Sequence, residues 1–90
     1  MKAPCDCIIP FFNEGSKVLC VVESILKVKN IYRIIVIDDG SNDKTSYLTL
    51  KTKFPQVVSI RLKINQGKAN AVKEGLKYVK NNYIILLMGI

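Results

Sequence analysis

The stretch that decides the fold of this 90-residue chain is Tyr32-Arg33-Ile34-Ile35-Val36-Ile37-Asp38-Asp39-Gly40-Ser41. Its first six residues form a nearly continuous apolar run bounded by turn residues, which predicts a strand covered on both faces of a sheet. Two adjacent carboxylates follow at once, in a loop that continues to Asp43. Because adjacent carboxylates repel, they cost stability unless solvent, backbone amides or a ligand satisfies them. We therefore expect a functional polar loop at the carboxyl end of a buried strand. An N-capping turn is the plain structural alternative, because Asp, Gly and Ser are ordinary turn residues.

Strand-like and helix-like segments alternate on both sides of this stretch. Strands are predicted at 5–10, 32–37, 57–62 and 83–88, and helices at about 18–28, 44–53 and 68–80. The expected N-caps are Asn13 or Ser16 for the first helix and Asp43 for the second. The inner face of the third helix is predicted to consist of Ala69, Val72, Leu76 and Val79.

This order, β-α-β-α-β-α-β, predicts an α/β fold. Helices long enough to cross back over the sheet favour parallel strands and right-handed crossovers. The expectation is a Rossmann-like three-layer α/β/α arrangement with a parallel sheet of about four strands, in one domain over residues 1–90. Such a sheet places its functional loops at the carboxyl ends of its strands.

Composition excludes several classes of protein. The chain has 14 Lys and Arg against 7 Asp and Glu, a net charge of +7, and is 49% apolar, so intrinsic disorder is excluded. The third helix has the only basic cluster, and no nucleic-acid motif appears, so no nucleic-acid partner is expected.

The apolar run from Tyr83 to Ile90 is too short to span a bilayer, and no secretory signal is recognisable, which predicts a cytoplasmic location. With three Cys and no His, we expect reduced, mostly buried thiols.

Three strand-end loops contain groups suited to a nucleotide. A carboxylate at Asp38 can accept a hydrogen bond from a base N–H or a ribose hydroxyl. Phe12 offers a face for base stacking, whereas Phe11 is expected in the core. Lys68 lies at a predicted helix N-terminus, where backbone amides favour a phosphate. A solvated surface lysine is the alternative for Lys68. The absence of GxGxxG after the first strand disfavours a dinucleotide-binding domain.

The order of these motifs resembles the nucleotide-sugar half of family 2 glycosyltransferases with the GT-A fold. The resemblance covers essentially the whole chain. It depends on three segments in the expected order: Pro10-Phe11-Phe12-Asn13-Glu14, Ile34 to Thr45, and Asn65-Gln66-Gly67-Lys68 continued through Gly75-Leu76.

The resemblance implies a role for each matching position. Pro10, Phe12, Asn13 and Glu14 would surround the base. Asp38 would read the edge of uracil or a similar base, while Asp39, Gly40 and Ser41 would support the loop or the ribose. Asn65, Gly67 and Lys68 would lie beside the ribose and diphosphate, where Lys68 would offset the phosphate charge.

The sequence departs from the family pattern at the fourth strand. The family normally ends that strand in Asp-x-Asp, which holds Mg²⁺ or Mn²⁺ on the diphosphate. An ungapped alignment places Met88 and Ile90 there, and neither binds a metal; alternatively, the motif begins just beyond Ile90 in a longer parent. In either case the divalent cation expected for the intact family finds no ligands in these 90 residues. The resemblance implies no catalytic residue either, because it matches these 90 residues to the nucleotide-sugar half and not to the half of the domain that binds the acceptor.

We therefore expect the donor-nucleotide half of an inverting glycosyltransferase, truncated and inactive alone. The alternative is a non-catalytic nucleotide-binding or interaction module derived from the same fold. The predicted ligand is a nucleoside-diphosphate sugar of UDP type, and the sequence does not identify the acceptor. Association with a cytoplasmic membrane surface and self-association are further expectations.

Overall fold

The computed structural model describes residues 4–88 of the chain. Strands and helices alternate along it in the predicted order. They are β1 (Cys5–Phe11), α1 (Gly15–Ile25), β2 (Ile31–Asp38), α2 (Thr45–Lys53), β3 (Val58–Arg61), α3 (Lys68–Leu76) and β4 (Tyr83–Leu86).

The four strands form one parallel sheet in the order β3-β2-β1-β4. Strand β1 is therefore central and pairs with both β2 and β4. The register places Phe11 beside Asp38 and Asp38 beside Arg61, so the carboxyl ends of β1, β2 and β3 are level. The predicted parallel α/β fold is confirmed, and its strand-end loops meet along one edge.

Two apolar layers cover the sheet, one on each face. Cys7, Ile9, Phe11, Ile34 and Val36 pack on one face with buried residues of α1 and α2. Alternate residues of the same strands, Ile8, Ile35 and Ile37, pack on the other face with Ala71 of α3. Because successive strand residues point to opposite faces, a run such as 34–37 has to be apolar throughout.

The prediction for the inner face of α3 was partly wrong. Leu76 is 47% exposed and Ala69 is also exposed, whereas Ala71 and Gly75 are buried. A Cβ on Gly75 would lie 2.8 Å from Ile37 Cδ1, so the helix approaches the sheet through its smallest residues. Apolar spacing alone misplaced the face because glycine and alanine, rather than leucine, allow this close approach. The helix ends at Leu76, earlier than the predicted Lys80.

The predicted helix caps were also wrong. Helix α1 begins after Glu14, and α2 begins after Lys44, neither with a side-chain cap. Asp43 still accepts the backbone N–H of Thr45, at 2.9 Å, but from one position before the cap. This bond forms a local turn before α2, of the kind that Asp side chains commonly make.

Asp6 joins the two ends of the described chain. Its buried carboxylate accepts the backbone N–H groups of Lys80 and Asn81 at 2.6 and 2.9 Å, and the Asn81 side chain at 2.6 Å. Burial by itself would raise the pKa of Asp6, but these hydrogen bonds and the charge of Arg33 lower it overall from its ordinary value.

The cysteines differ in exposure, contrary to the expectation that most are buried. Cys7 is buried, Cys5 is half-buried and Cys20 is exposed on α1. Burial raises the pKa of the Cys7 thiol to about 11. Between residues 4 and 88, no helix has the length and apolar character needed to cross a membrane.

Candidate functional site

Asp39 connects the loop after β2 to the loop before α3. Its Oδ1 accepts the backbone N–H of Gln66, and its Oδ2 accepts that of Gly67, each at 2.9 Å. The side chain of Asn65 donates both to Asp39 Oδ2, at 3.0 Å, and to the Asp39 carbonyl, at 3.1 Å. Asp39 therefore holds the Asn65-Gln66-Gly67 turn by direct hydrogen bonds, a contact that the sequence did not predict.

Gly40 allows the loop after β2 to pack directly against the loop before α3. It has a φ of +71°, which side chains rarely adopt, and a Cβ on it would lie 2.4 Å from both Ile64 C and Asn65 N. Only glycine therefore fits between the two loops at this point.

Asp38 forms an ion pair that the sequence analysis did not predict. Its Oδ2 lies 2.5 Å from Nη1 of Arg61, the neighbouring residue on β3. Its Oδ1 accepts the backbone N–H of Ser41 at 2.9 Å, and the side chain is only 1% exposed. Nη2 of Arg61 also donates to the Ser41 carbonyl at 2.9 Å. Arg61 becomes recognisable as a partner of the acidic loop, residues 38–43, only once β3 is known to lie beside β2.

The loop after β1 is bonded to the same acidic loop. The backbone N–H of Asn13 donates to Ser41 Oγ, and Asn13 Oδ1 accepts the backbone N–H of Asn42, both at 2.9 Å. Asn13 has a φ of +55°, a conformation that Asn tolerates better than most residues. Hydrogen bonds thus bring together all three loops that the sequence analysis selected.

A polar cleft of about 290 Å³ lies at the carboxyl ends of β1 and β2. It reaches the first turns of α1 and α2. Its lining residues are Phe11, Asn13, Gly15, Ser16, Ser41, Asn42, Asp43 and Ser46. The 65–68 loop lies beside the acidic loop but does not line this cleft.

The remaining predicted site residues differ in how accessible they are. Phe12 is 40% exposed, whereas Phe11 is buried as expected. Pro10 is also buried within β1, so its side chain presents no surface to a ligand. Glu14 is half-buried and pairs with Lys17 at 3.3 Å. Lys68 is exposed at the start of α3, and within residues 4–88 its ammonium makes no hydrogen bond or ion pair.

The residues that the structure describes do not fit a divalent cation. No group of three or more His, Cys, Asp or Glu side chains in the 4–88 range could hold a metal ion. Met88 is exposed two residues after the end of β4, and Gly89 and Ile90 lie outside the described residues. Both carboxylates of the Asp38-Asp39 pair are engaged by donors of the chain itself.

The fold and the strand-end loops agree with one protein family. The glycosyl transferase family 2 profile matches residues 6–87. The chain therefore belongs to this family, and the predicted family resemblance is confirmed.

Proteins of similar sequence include a named glucosyltransferase and an uncharacterized protein. A dolichyl-phosphate beta-glucosyltransferase of Dictyostelium discoideum is 30% identical over 93 residues, which cover 89% of this chain and 28% of the relative. An uncharacterized protein of Methanocaldococcus jannaschii is 37% identical over 89 residues, covering 91% of this chain and 38% of that protein. The chain thus spans well under half the length of these relatives.

A solved structure shows the same architecture. A mannosyltransferase of Pyrobaculum calidifontis, in complex with GDP-Man and Mn²⁺, superimposes with a TM-score of 0.78 at 18% identity. The match covers 93% of this chain and 26% of that one. The predicted GT-A type of fold is confirmed by this likeness.

Proposed function

We propose that this chain is the donor-nucleotide half of an inverting glycosyltransferase. On this proposal it binds the nucleoside diphosphate of a sugar donor at the carboxyl edge of the sheet. One observation supports the proposal most directly: the loops at 11–14, 38–43 and 65–68 are far apart in sequence, yet hydrogen bonds of Asp39 and Asn13 join them at one edge. Open α/β sheets bind nucleotides in this position.

The base is proposed to stack on Phe12 and to donate an N–H to Asp38. Phe12 is 40% exposed, so part of its side chain is accessible to a ligand. Both Asp38 oxygens already accept hydrogen bonds and the side chain is 1% exposed, so a base N–H would reach a remaining lone pair of the carboxylate only after a small movement of the 38–41 loop. Uracil offers such an N–H, which keeps a UDP-type donor as the proposed ligand.

The diphosphate is proposed to lie near the start of α3. Gln66 and Gly67 direct their backbone N–H groups to Asp39, whereas the exposed Lys68 ammonium remains available to a phosphate. A phosphate beside a helix N-terminus also gains from the aligned peptide dipoles.

A titration with variants tests this proposal. UDP is added to the wild type, Asp38→Asn and Phe12→Ala, and binding is followed by calorimetry and by amide chemical shifts. We expect each variant to bind roughly tenfold more weakly, because one charged hydrogen bond or one stacking contact is lost. Glu23→Gln and Tyr32→Ala are matched controls, because they remove an exposed acid and an exposed aromatic away from the cleft. Equal affinity in all five proteins contradicts the proposal.

Catalytic transfer by this chain alone is not expected. The described residues contain no carboxylate cluster for a metal, and the chain spans 28% of the dolichyl-phosphate beta-glucosyltransferase that it matches. The second candidate is a binding module that retains nucleotide selectivity without turnover. Metal-independent, base-selective binding favours the module, and metal-dependent sugar transfer by the purified chain would contradict both readings.

Self-association is proposed at strand β4. Tyr83, Ile84, Ile85 and Leu86 are each between 39% and 60% exposed, and the strand is at the edge of the sheet. Unprotected apolar edge strands tend to pair with other strands. Light scattering over a concentration series should show growing mass for the wild type and less for Ile85→Lys. A constant monomer mass for both proteins contradicts self-association through β4.

A cytoplasmic location, with or without contact to a membrane surface, remains a prediction.

A further inference from the structure

Arg61 lies outside every predicted site segment, yet its guanidinium has two partners in the acidic loop. One nitrogen bonds Asp38 Oδ2 and the other bonds the Ser41 carbonyl, at 2.5 and 2.9 Å. Ser41 in turn accepts the backbone N–H of Asn13 through its hydroxyl. A single β3 side chain therefore supports two of the loops that form the polar cleft, without lining the cleft itself.

The charge of Arg61 matters as much as its geometry. Two adjacent carboxylates would repel a diphosphate placed beside them. Asp39 is satisfied by three N–H donors of residues 65–67, all of them uncharged groups. Asp38 has one cation partner within the described range, and that partner is Arg61. Arginine suits this position because its planar fork donates two parallel hydrogen bonds and stays charged.

We propose that Arg61 is a positioning residue of the nucleotide site. It fixes the 38–41 loop against β3 and cancels the charge of Asp38, so that the loop tolerates a neighbouring diphosphate. This inference rests on the proposed nucleotide-binding function and adds a residue to it.

Binding of UDP and of uncharged uridine to Arg61 variants tests the inference. Arg61→Met removes the charge and the donors, and we expect UDP to bind roughly tenfold more weakly, since hydrogen bonds to charged groups contribute at about this level. Uridine should lose less, because it has no diphosphate to be repelled. Arg61→Lys keeps the charge and should recover part of the UDP affinity. A purely structural role would weaken UDP and uridine equally.

The matched control is Arg33→Met, which removes the same charge from the amino-terminal half of β2. It should leave UDP binding unchanged. Circular dichroism shows whether each variant is folded. If Arg61→Met does not fold, Arg61→Lys tests the inference instead, and we expect it to bind UDP about threefold more weakly because lysine cannot donate from two guanidinium nitrogens at once.

Three results would overturn the inference. They are unchanged or tighter UDP binding in the folded Arg61 variants, an equal loss for UDP and uridine, and an equal loss in Arg33→Met. These results are distinct from failure of the proposed function, in which the wild type itself binds no nucleoside diphosphate and both proposals fall together.

Discussion

The Asp39 carboxylate accepts the backbone N–H of Gly67 at 2.9 Å, across 28 positions of sequence. With the bonds to Gln66 and Asn65, it fixes the start of α3 to the end of β2. Asp39→Asn replaces one acceptor by an amide NH₂ that faces existing donors. We expect a loss of roughly 2 kcal/mol in the free energy of unfolding, measured with urea. Asp43→Asn, in an exposed local turn, should lower the free energy of unfolding by less. An equal decrease for the two variants would show that the hydrogen bonds between the two loops add no stability beyond that of a local turn.

Substitution of Gly40 should be far more harmful than substitution of Gly67. Both have positive φ, +71° and +93°, so alanine strains the backbone at either site. Only at Gly40 would the new Cβ meet backbone atoms, at 2.4 Å, whereas nothing lies within 4 Å at Gly67. We expect Gly67→Ala to lose about 1 kcal/mol and Gly40→Ala at least twice that, by thermal and urea unfolding. Similar losses would mean that the two loops separate easily.

Asp6 should make stability depend on pH in the acid range. Its pKa in the folded chain lies below the ordinary value of 3.8, so the unfolded chain binds more protons as the pH falls towards and past that value. The stabilising contribution is therefore complete at neutral pH and is lost as the pH falls through the lowered pKa. In urea titrations, the stability difference between wild type and Asp6→Asn should be constant from about pH 5 to 7 and shrink below about pH 4. A difference that does not change with pH contradicts the assignment.

The thiols should react in the order of their exposure. Cys20 is exposed, whereas Cys7 is buried and has a pKa raised to about 11, so at pH 8 it remains a protonated thiol. A thiol reagent should label Cys20 quickly and Cys7 only after denaturation, as peptide mass spectrometry can show. Cys20→Ser should remove the fast phase, whereas Cys7→Ser should leave it; rapid labelling of Cys7 in the folded chain would contradict the buried position.

The sequence predicted the sheet well because its signals are local. The run at 34–37 is apolar at every position, and the structure buries it on both faces. Phe11 and Phe12 were also separated correctly into a core residue and an exposed one.

The failures concern features that only packing decides. The inner face of α3 depends on how closely Gly75 approaches Ile37, which apolar spacing cannot show. The caps at Asn13 and Ser16 were misjudged because Asn13 instead bonds Asn42 across the site.

The site was predicted as three loops but not as a connected network. The family resemblance selected Asp38 and Asp39 as candidate site residues, whereas their hydrogen-bond partners depend on strand order and register. Arg61 was missed because the pairing of Asp38 with Arg61 exists only once β3 lies beside β2.

The central position of β1 also has a consequence for synthesis on the ribosome. Strand β1 is made before β4, yet the two pair in the sheet, and among the described residues the hydrogen bonds to the Asp6 carboxylate come from Lys80 and Asn81. While residues 80–86 remain in the exit tunnel, one edge of β1 and the Asp6 carboxylate stay exposed. The nascent chain therefore depends on its most distant contacts to complete the sheet, and such non-local pairing is typical of slow folding.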